Sequence, residues 1–419
     1  MNDKFRLTKL ERYWVLLDVG NSAFVLLAAT LLPIYFDGLA SAGGLSSAEY
    51  LAYWGYATSI CTLIIAVSGP VLGTIADTKN YKKKLFLGSV ILGAVSCALL
   101  GTATHWLVFL AIYVVAKIGC NTSIIFSDAM LTDITEVDRM DTVSSQGYAW
   151  GYIGSCIPFG IGLVLVLGGE SFGLPVDIAM TITFILIGLW WFVVSLPLVK
   201  HYQQKHYVEI EGSVIASSFK RLGSTFKEMK KEKHIFLFLL AFFFYIDGVY
   251  TIIDMATAFG TALGLDSTGL LLALLVTQIV AFPSALAFGR MARKYDNRNL
   301  ITICIVAYTG IAIYAYFLET QTQFWVLAIC VGLFQGAIQA LSRSYFAKII
   351  PPEKAGEYFG LFDICGKGAS FVGTTLVGVV SQVTGSVNIG VAVIGILFVI
   401  GLALFRISAT LEKPNTKIC

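Results

Sequence analysis

The polar side chains that interrupt the long apolar runs of this chain fall at helical spacings. Asp18, Asn21 and Ser22 follow i, i+3, i+4, which places them on one helix face. Asp247, Tyr250 and Asp254 follow i, i+3, i+7, and Lys117, Asn121 and Asp128 follow i, i+4, i+11. Gln335, Gln339, Ser342 and Arg343 share another stretch, and Asp363 and Lys367 stand four apart in the next. A buried carboxylate takes an ammonium or a proton, an ammonium takes a carboxylate, and an amide both donates and accepts. No nucleophile–base set, P-loop or HExxH accompanies these residues, so they point to binding and charge neutralisation and not to an enzyme. The eight cysteines form no CxxC pair and seven lie in apolar runs, where they read as packing residues. The four histidines have no ligand spacing, so neither a metal site nor a cofactor is expected.

The elements that hold these residues follow from composition. The chain has 419 residues, 57% hydrophobic and 13% charged, with mean hydropathy +0.79. A soluble domain carries about 25% charge. The expected fold class is an all-α polytopic membrane protein. A span needs about 20 mostly apolar residues, and twelve are expected, near 13–37, 50–76, 84–103, 106–131, 146–168, 178–199, 234–263, 268–292, 299–318, 323–349, 356–383 and 387–408. The first run, Trp14 to Phe36, is too long for a signal-peptide core and reads as a membrane helix.

Lysine and arginine test that count, because they gather in cytoplasmic loops. Lys79, Lys82, Lys83 and Lys84 follow the second span, eight basic residues occupy 200–233, and Arg293, Lys294 and Arg298 follow the eighth. The loops 38–49, 104–105, 169–177, 264–267, 319–322 and 384–386 have none. This alternation predicts both termini in the cytoplasm, and the compact length suggests a bacterial cytoplasmic membrane. Basic residues dispersed in loops give no nucleic-acid surface.

The organisation expected is a six-helix bundle at 1–199, a cytoplasmic linker at 200–233 and a second six-helix bundle at 234–419. In the linker, Phe219, Leu222, Phe226 and Met229 alternate with Lys and Glu, the pattern of a short amphipathic helix on the membrane surface. The bundles read as repeats: Asp18 and Asp247 each lie in the first half of their bundle's first span. Lys117/Asn121 and Gln335/Gln339 fall at matching spacings. Parallel six-helix repeats are the arrangement of major facilitator transporters, whose substrate site lies near the midplane.

An Asp facing lipid in mid-helix costs at least about 2.5 kcal/mol, so these acids face protein. Asp18 and Asp247 fit ammonium or proton sites, against hydrogen-bonded packing acids. Lys117 fits a carboxylate anchor, or a cation that neutralises Asp18 or Asp247. Asn121, Tyr250, Gln335 and Gln339 complete a polar lining, and Asn21 shares the face of Asp18. Asp128, Ser342, Arg343 and Glu357 lie near the cytoplasmic ends and read as gate parts, with Arg343 alternatively a carboxylate clamp. Asp363 and Lys367 read as an ion pair steadying the eleventh span.

Two loop patterns add a resemblance. Gly73-Thr-Ile-Ala-Asp77 followed by Lys79, Lys82 and Lys83 resembles the major facilitator loop signature, in which the Asp caps a neighbouring helix. The second copy, Gly289-Arg-Met-Ala-Arg293, has Arg where the acid is expected, which leaves the second-half lock without its acid. Asp18-x-x-Asn21-Ser22-Ala23-Phe24, Asp247-Gly248-Val249, Gln339-Ala-Leu-Ser-Arg343-Ser344 and Glu357-x-Phe359-Gly360-Leu361-x-Asp363 are similar to the vacuole-effluxer branch, the autophagy-related amino-acid exporters and their bacterial relatives. The resemblance spans both halves.

It implies a secondary transporter, with amino-acid efflux the best-described activity of the branch. The expected partners are a small-molecule substrate, protons and membrane lipid, with the chain a monomer. The alternative carrier is one for sugars, with Trp54, Tyr148, Trp150, Tyr245 and Tyr250 available to stack a ring. A non-transporting membrane sensor or scaffold is the rival from another class.

Overall fold

The computed structural model describes residues 5–209, 221–222, 224–225 and 231–411. The amphipathic register expected between Phe219 and Met229 lies mostly outside the described residues. The described chain is helical, and its one β feature is an isolated parallel bridge between Thr78 and Val208. The helices are α1 (Lys9–Ala29), α2 (Leu31–Ala42), α3 (Ser47–Ala76), α4 (Lys82–Leu99), α5 (Trp106–Ile134), α6 (Met140–Gly168) and α7 (Val176–His201). Then come α8 (Lys233–Ala262), α9 (Ser267–Met291), α10 (Asn297–Tyr316), α11 (Gln321–Ile349), α12 (Ala355–Thr384), α13 (Val387–Ala392) and α14 (Gly395–Leu411).

Eleven helical segments among the described residues are long and apolar enough to cross a membrane. The remaining expected span is α12, 30 residues long, with an apolar stretch at Val372–Thr384. The first span differs from the continuous run expected, because α1 and α2 meet at a break. Pro33 has no N–H for the carbonyl one turn before it, and the chain turns at Thr30 (φ −125°, ψ −75°).

Helix starts follow local chemistry. Thr8 with Glu11, Ser46 with Glu49, and Thr320 with Gln323 form capping boxes. Each satisfies amide N–H groups that the first helical turn leaves open. Asp266 and Asp296 cap α9 and α10 through their carboxylates.

The chain divides into two compact units. The first comprises Met1–Thr135, Trp150–Ile215 and Pro352–Gly360; the second comprises Glu136–Ala149, Ala216–Pro351 and Leu361–Cys419. The start of α6 therefore belongs to the second unit and the start of α12 to the first.

In the first unit α1 packs on α7, α3 on α5, and α4 on α5. Gly93 and Gly119 bring α4 and α5 together: a Cβ on Gly119 would lie 2.5 Å from the Gly93 nitrogen. Trp14 lies fully buried and donates its indole N–H to the Ser127 carbonyl at 2.7 Å. In the second unit the corresponding pairs recur, α8 with α14, α9 with α11, and α10 with α11. The matched pairings make the two units repeats in packing as well as in sequence pattern.

Candidate functional site

In the first unit the mid-helix residues lie on α1 and α5. Asp18 is half-buried. Asn21 is buried; its Oδ1 accepts from Ser123 Oγ at 3.3 Å, and its Nδ2 has no hydrogen-bond partner among the described residues. The Lys117 ammonium is half-buried and donates to the Tyr113 phenol at 3.1 Å. Tyr113 in turn stacks on Trp54 of α3, ring centres 4.5 Å apart. Asn121 is buried and reaches the Cys61 sulfur at 3.9 Å, a weak contact that leaves its amide available. Asp128 is buried nearer the end of α5.

In the second unit the deepest acid is Asp247, fully buried on α8. Its Oδ1 accepts from Thr251 Oγ1 at 3.2 Å and from the Gly373 N–H of α12 at 3.0 Å. Its Oδ2 has no hydrogen-bond partner among the described residues. Gly373 permits this approach, because a Cβ there would meet Thr251 Oγ1 at 2.1 Å. Gln339 donates to the Gln335 carbonyl at 3.2 Å, while Gln335 Oε1 has no partner among the described residues. Tyr250 is half-buried on the same helix as Asp247.

Of the rings considered for sugar stacking, Tyr245 is fully buried and shares a hydrogen bond of 2.7 Å with Ser342. It presents no free face. Asp363 is buried on α12, and the side chain of Lys367 lies outside the described residues, so their expected pair does too.

The helix ends that carry the basic loops hold a denser set. Asp77, the residue after α3, accepts the N–H groups of Gly356 at 2.7 Å and Glu357 at 2.9 Å, both in the first turn of α12. These are amides that a helix start leaves open, and a carboxylate there also meets the positive end of the helix dipole. Burial pushes the Asp77 carboxyl up to about 6, against the pull of Lys82 and the two amides. Gly73 makes room: a Cβ on it would stand 2.1 Å from the Gly356 carbonyl oxygen. Glu357 itself is fully buried.

Around Asp77 and the signature's Lys82 lie residues that the sequence pattern did not single out: Asp133, Tyr202 and His206. Lys82 is fully buried, 3.7 Å from Asp77 and 3.3 Å from Asp133. Asp133 also accepts from the Tyr202 hydroxyl, from His206 Nδ1 at 3.1 Å, and from the N–H groups of Lys205 and His206. Burial and the neighbouring Asp133 push the Tyr202 phenol well above its usual value, which keeps it a donor. Val208 N–H donates to the Asp77 carbonyl at 2.8 Å, so the first linker residues are fastened to the same loop.

In the second unit Arg343 is nearly fully buried. Its guanidinium donates to Ser144 Oγ at 2.9 Å and the Ser144 carbonyl at 3.0 Å, and lies 4.4 Å over the Tyr148 ring. Ser144 donates onward to the Ala340 carbonyl. Asp141, in the first turn of α6, was also not singled out by the sequence pattern; Asn297, Ser344 and Lys348 all bond to it. The signal was present, since the second loop signature lacks an acid and an Asp stands just before the fifth span.

Comparison with known proteins converges with this geometry. The model of the vacuole effluxer Atg22-like family matches residues 8–138 and 131–416. The chain belongs to that family. A major facilitator-type transporter of Bacillus subtilis, YxiO, itself uncharacterized, is 43% identical over 404 residues, 95% of this chain and 94% of that protein. Autophagy-related protein 22-1 of Aspergillus niger is 26% identical over 293 residues, 64% of this chain. That match spans about half of the fungal protein, 47%.

Among solved structures, the outward conformation of the major facilitator transporter FucP aligns with TM-score 0.72 at 13% identity, covering 96% of this chain and 97% of that one. A bacterial homologue of the iron transporter ferroportin aligns with TM-score 0.68 at 16% identity, covering 97% of this chain and 100% of that one. This Atg22-like protein therefore has the major facilitator fold. It is a multi-pass integral membrane transporter of a small molecule.

Proposed function

We propose that this Atg22-like protein is a secondary active transporter that moves an amino acid or similar small zwitterion by alternating access, driven by protons. The observation that carries the reading is Asp247: fully buried in mid-helix, with one oxygen held by Thr251 and Gly373 and the other without a partner among the described residues. A buried acid in such a state takes up a proton or an ammonium. Asp18 is the matching acid of the first unit. Lys117 anchors the carboxylate, from a position where its ammonium donates to the Tyr113 hydroxyl. Asn121, Gln335 and Gln339 supply amides, and Asn21 and Tyr250 flank the acids.

The family description and the fungal relative's name support efflux of amino acids as the direction and class. The relative in Bacillus supports a bacterial cytoplasmic membrane. The charge of the loops supports cytoplasmic termini. We take the chain as a monomer.

Thermal unfolding of the purified protein against panels of amino acids and sugars tests the substrate class, since a ligand of the native state raises the melting temperature. Amino acids raise it for the parent chain, and Lys117→Met abolishes the rise. Stabilisation by sugars alone, or an undiminished rise in Lys117→Met, contradicts the assignment.

A further inference from the structure

The segment that follows α7 is fastened to the first unit by its backbone and its side chains. Gln204 Nε2 donates at 3.1 Å to the Ala76 carbonyl, one of those that the end of α3 leaves open. Val208 N–H donates to the Asp77 carbonyl at 2.8 Å, beside the parallel bridge to Thr78. Lys79 pairs with Glu209 at 3.1 Å and lies 4.9 Å over the Tyr207 ring. Residues 202–209 run as a strap along the loop between α3 and α4.

The strap's deepest anchor is Asp133, at the end of α5, whose side chain is fully buried. Its Oδ1 accepts from the N–H groups of Lys205 at 3.2 Å and His206 at 2.9 Å, and from His206 Nδ1 at 3.1 Å. Its Oδ2 accepts from the Tyr202 hydroxyl and, at 3.3 Å, from Lys82 Nζ.

Charge here does not balance without the strap. Asp77 and Asp133 face one buried ammonium, Lys82, and the Glu357 carboxyl adds another acid beside Asp77. Of the other basic groups nearby, Lys79 is tied to Glu209 and Lys205 is exposed. His201 is held elsewhere, by the Tyr13 ring and the Pro197 carbonyl. The His206 imidazole, 40% exposed, joins the buried Asp133 to water. Histidine is the side chain whose charge ordinarily changes between about pH 5 and 8. A charged donor makes a hydrogen bond to a carboxylate about twice as strong as a neutral one.

We infer that His206 is a proton-sensing site: its protonation fastens residues 202–209 to the first unit, and its deprotonation loosens them. The fastened state holds the proton, so fastening is favoured at low pH and weakens as pH rises. With the strap fastened, the connection to the second unit begins after Glu209. Loosened, that connection gains the length of 202–209, at most about 28 Å of extended chain. The site is separate from Asp247 and acts without substrate.

Hydrogen–deuterium exchange of the full-length protein in detergent tests it, read at peptides spanning 202–209. Each rate is divided by the intrinsic rate at the same pH, so the base dependence of exchange itself cancels. In the parent, protection of the Lys205, His206 and Val208 amides falls roughly tenfold from about pH 6 to 8, which corresponds to about 1.4 kcal/mol. His206→Gln, a donor without charge, is weakly protected throughout, and His206→Arg, charged throughout, stays protected. The start of α11, closed by Thr320 and Gln323, is the control and does not change. A parent profile without pH dependence overturns the proposal. So does a slope that persists in His206→Gln, which assigns the titration to Asp77, or an equal loss of protection at the start of α11, which makes the event global unfolding.

Discussion

The two units hold their borrowed helix starts by different means, and the difference predicts how each responds to pH and to substitution. In the first, Asp77 binds two backbone amides, and its nearest cation, Lys82, stands closer to Asp133. Two buried carboxylates share one buried ammonium. In the second, Asp141 has a cation of its own, Lys348, whose side chain is 21% exposed. The first helix start depends on a network enclosed in protein, and the second on a pair at its edge.

The largest expected effect breaks the first network alone. Lys82→Met leaves Asp77 and Asp133 buried without their shared charge, and such a loss costs about 3–5 kcal/mol. A large drop in melting temperature is expected. Lys348→Gln should lower it much less, because water reaches that lysine. Equal drops would remove the distinction.

Next in size is a pH slope. Asp77 binds its proton more tightly in the native protein, about 6 against 3.8, so the native state holds more protons than the unfolded chain between those values. Its contribution to stability is therefore present below pH 3.8, falls as pH rises to about 6, and levels above. The change corresponds to about 3 kcal/mol. Asp77→Asn should flatten that part of the stability profile, measured by denaturation from pH 4 to 7. An unchanged slope in the variant would place the titration elsewhere.

The smallest effect compares the glycines. Gly73→Ala drives a Cβ against a backbone carbonyl, and overpacking of this kind costs about 1–3 kcal/mol. Gly289→Ala meets the side chain of one serine first and should cost less by the same denaturation assay.

Much of this molecule was legible in its sequence. Apolar runs and the alternation of lysine and arginine between loops located the spans, because bilayer thickness and loop charge act on composition alone. The break at Thr30 was less visible, since Pro33 sits in an otherwise continuous run. Asp77 was readable from its signature. Asp133 was not, because its meaning comes from a partner 51 residues away, Lys82; Asp141 was marked only by the acid missing from the second loop signature, and its partner Lys348 lies 207 residues away. The same limit applies to Lys117: its spacing marked it as unusual, but the phenol of Tyr113 and the stacked Trp54 are known only from the packing.

The central claim is proton-driven movement of a zwitterion with Asp247 as the coupling acid. The direct measurement is uptake of labelled amino acids into proteoliposomes with and without an imposed pH gradient, for the parent chain and Asp247→Asn. The account predicts gradient-driven accumulation by the parent and none by the variant. Accumulation in Asp247→Asn equal to the parent's, under the same gradient, would contradict it.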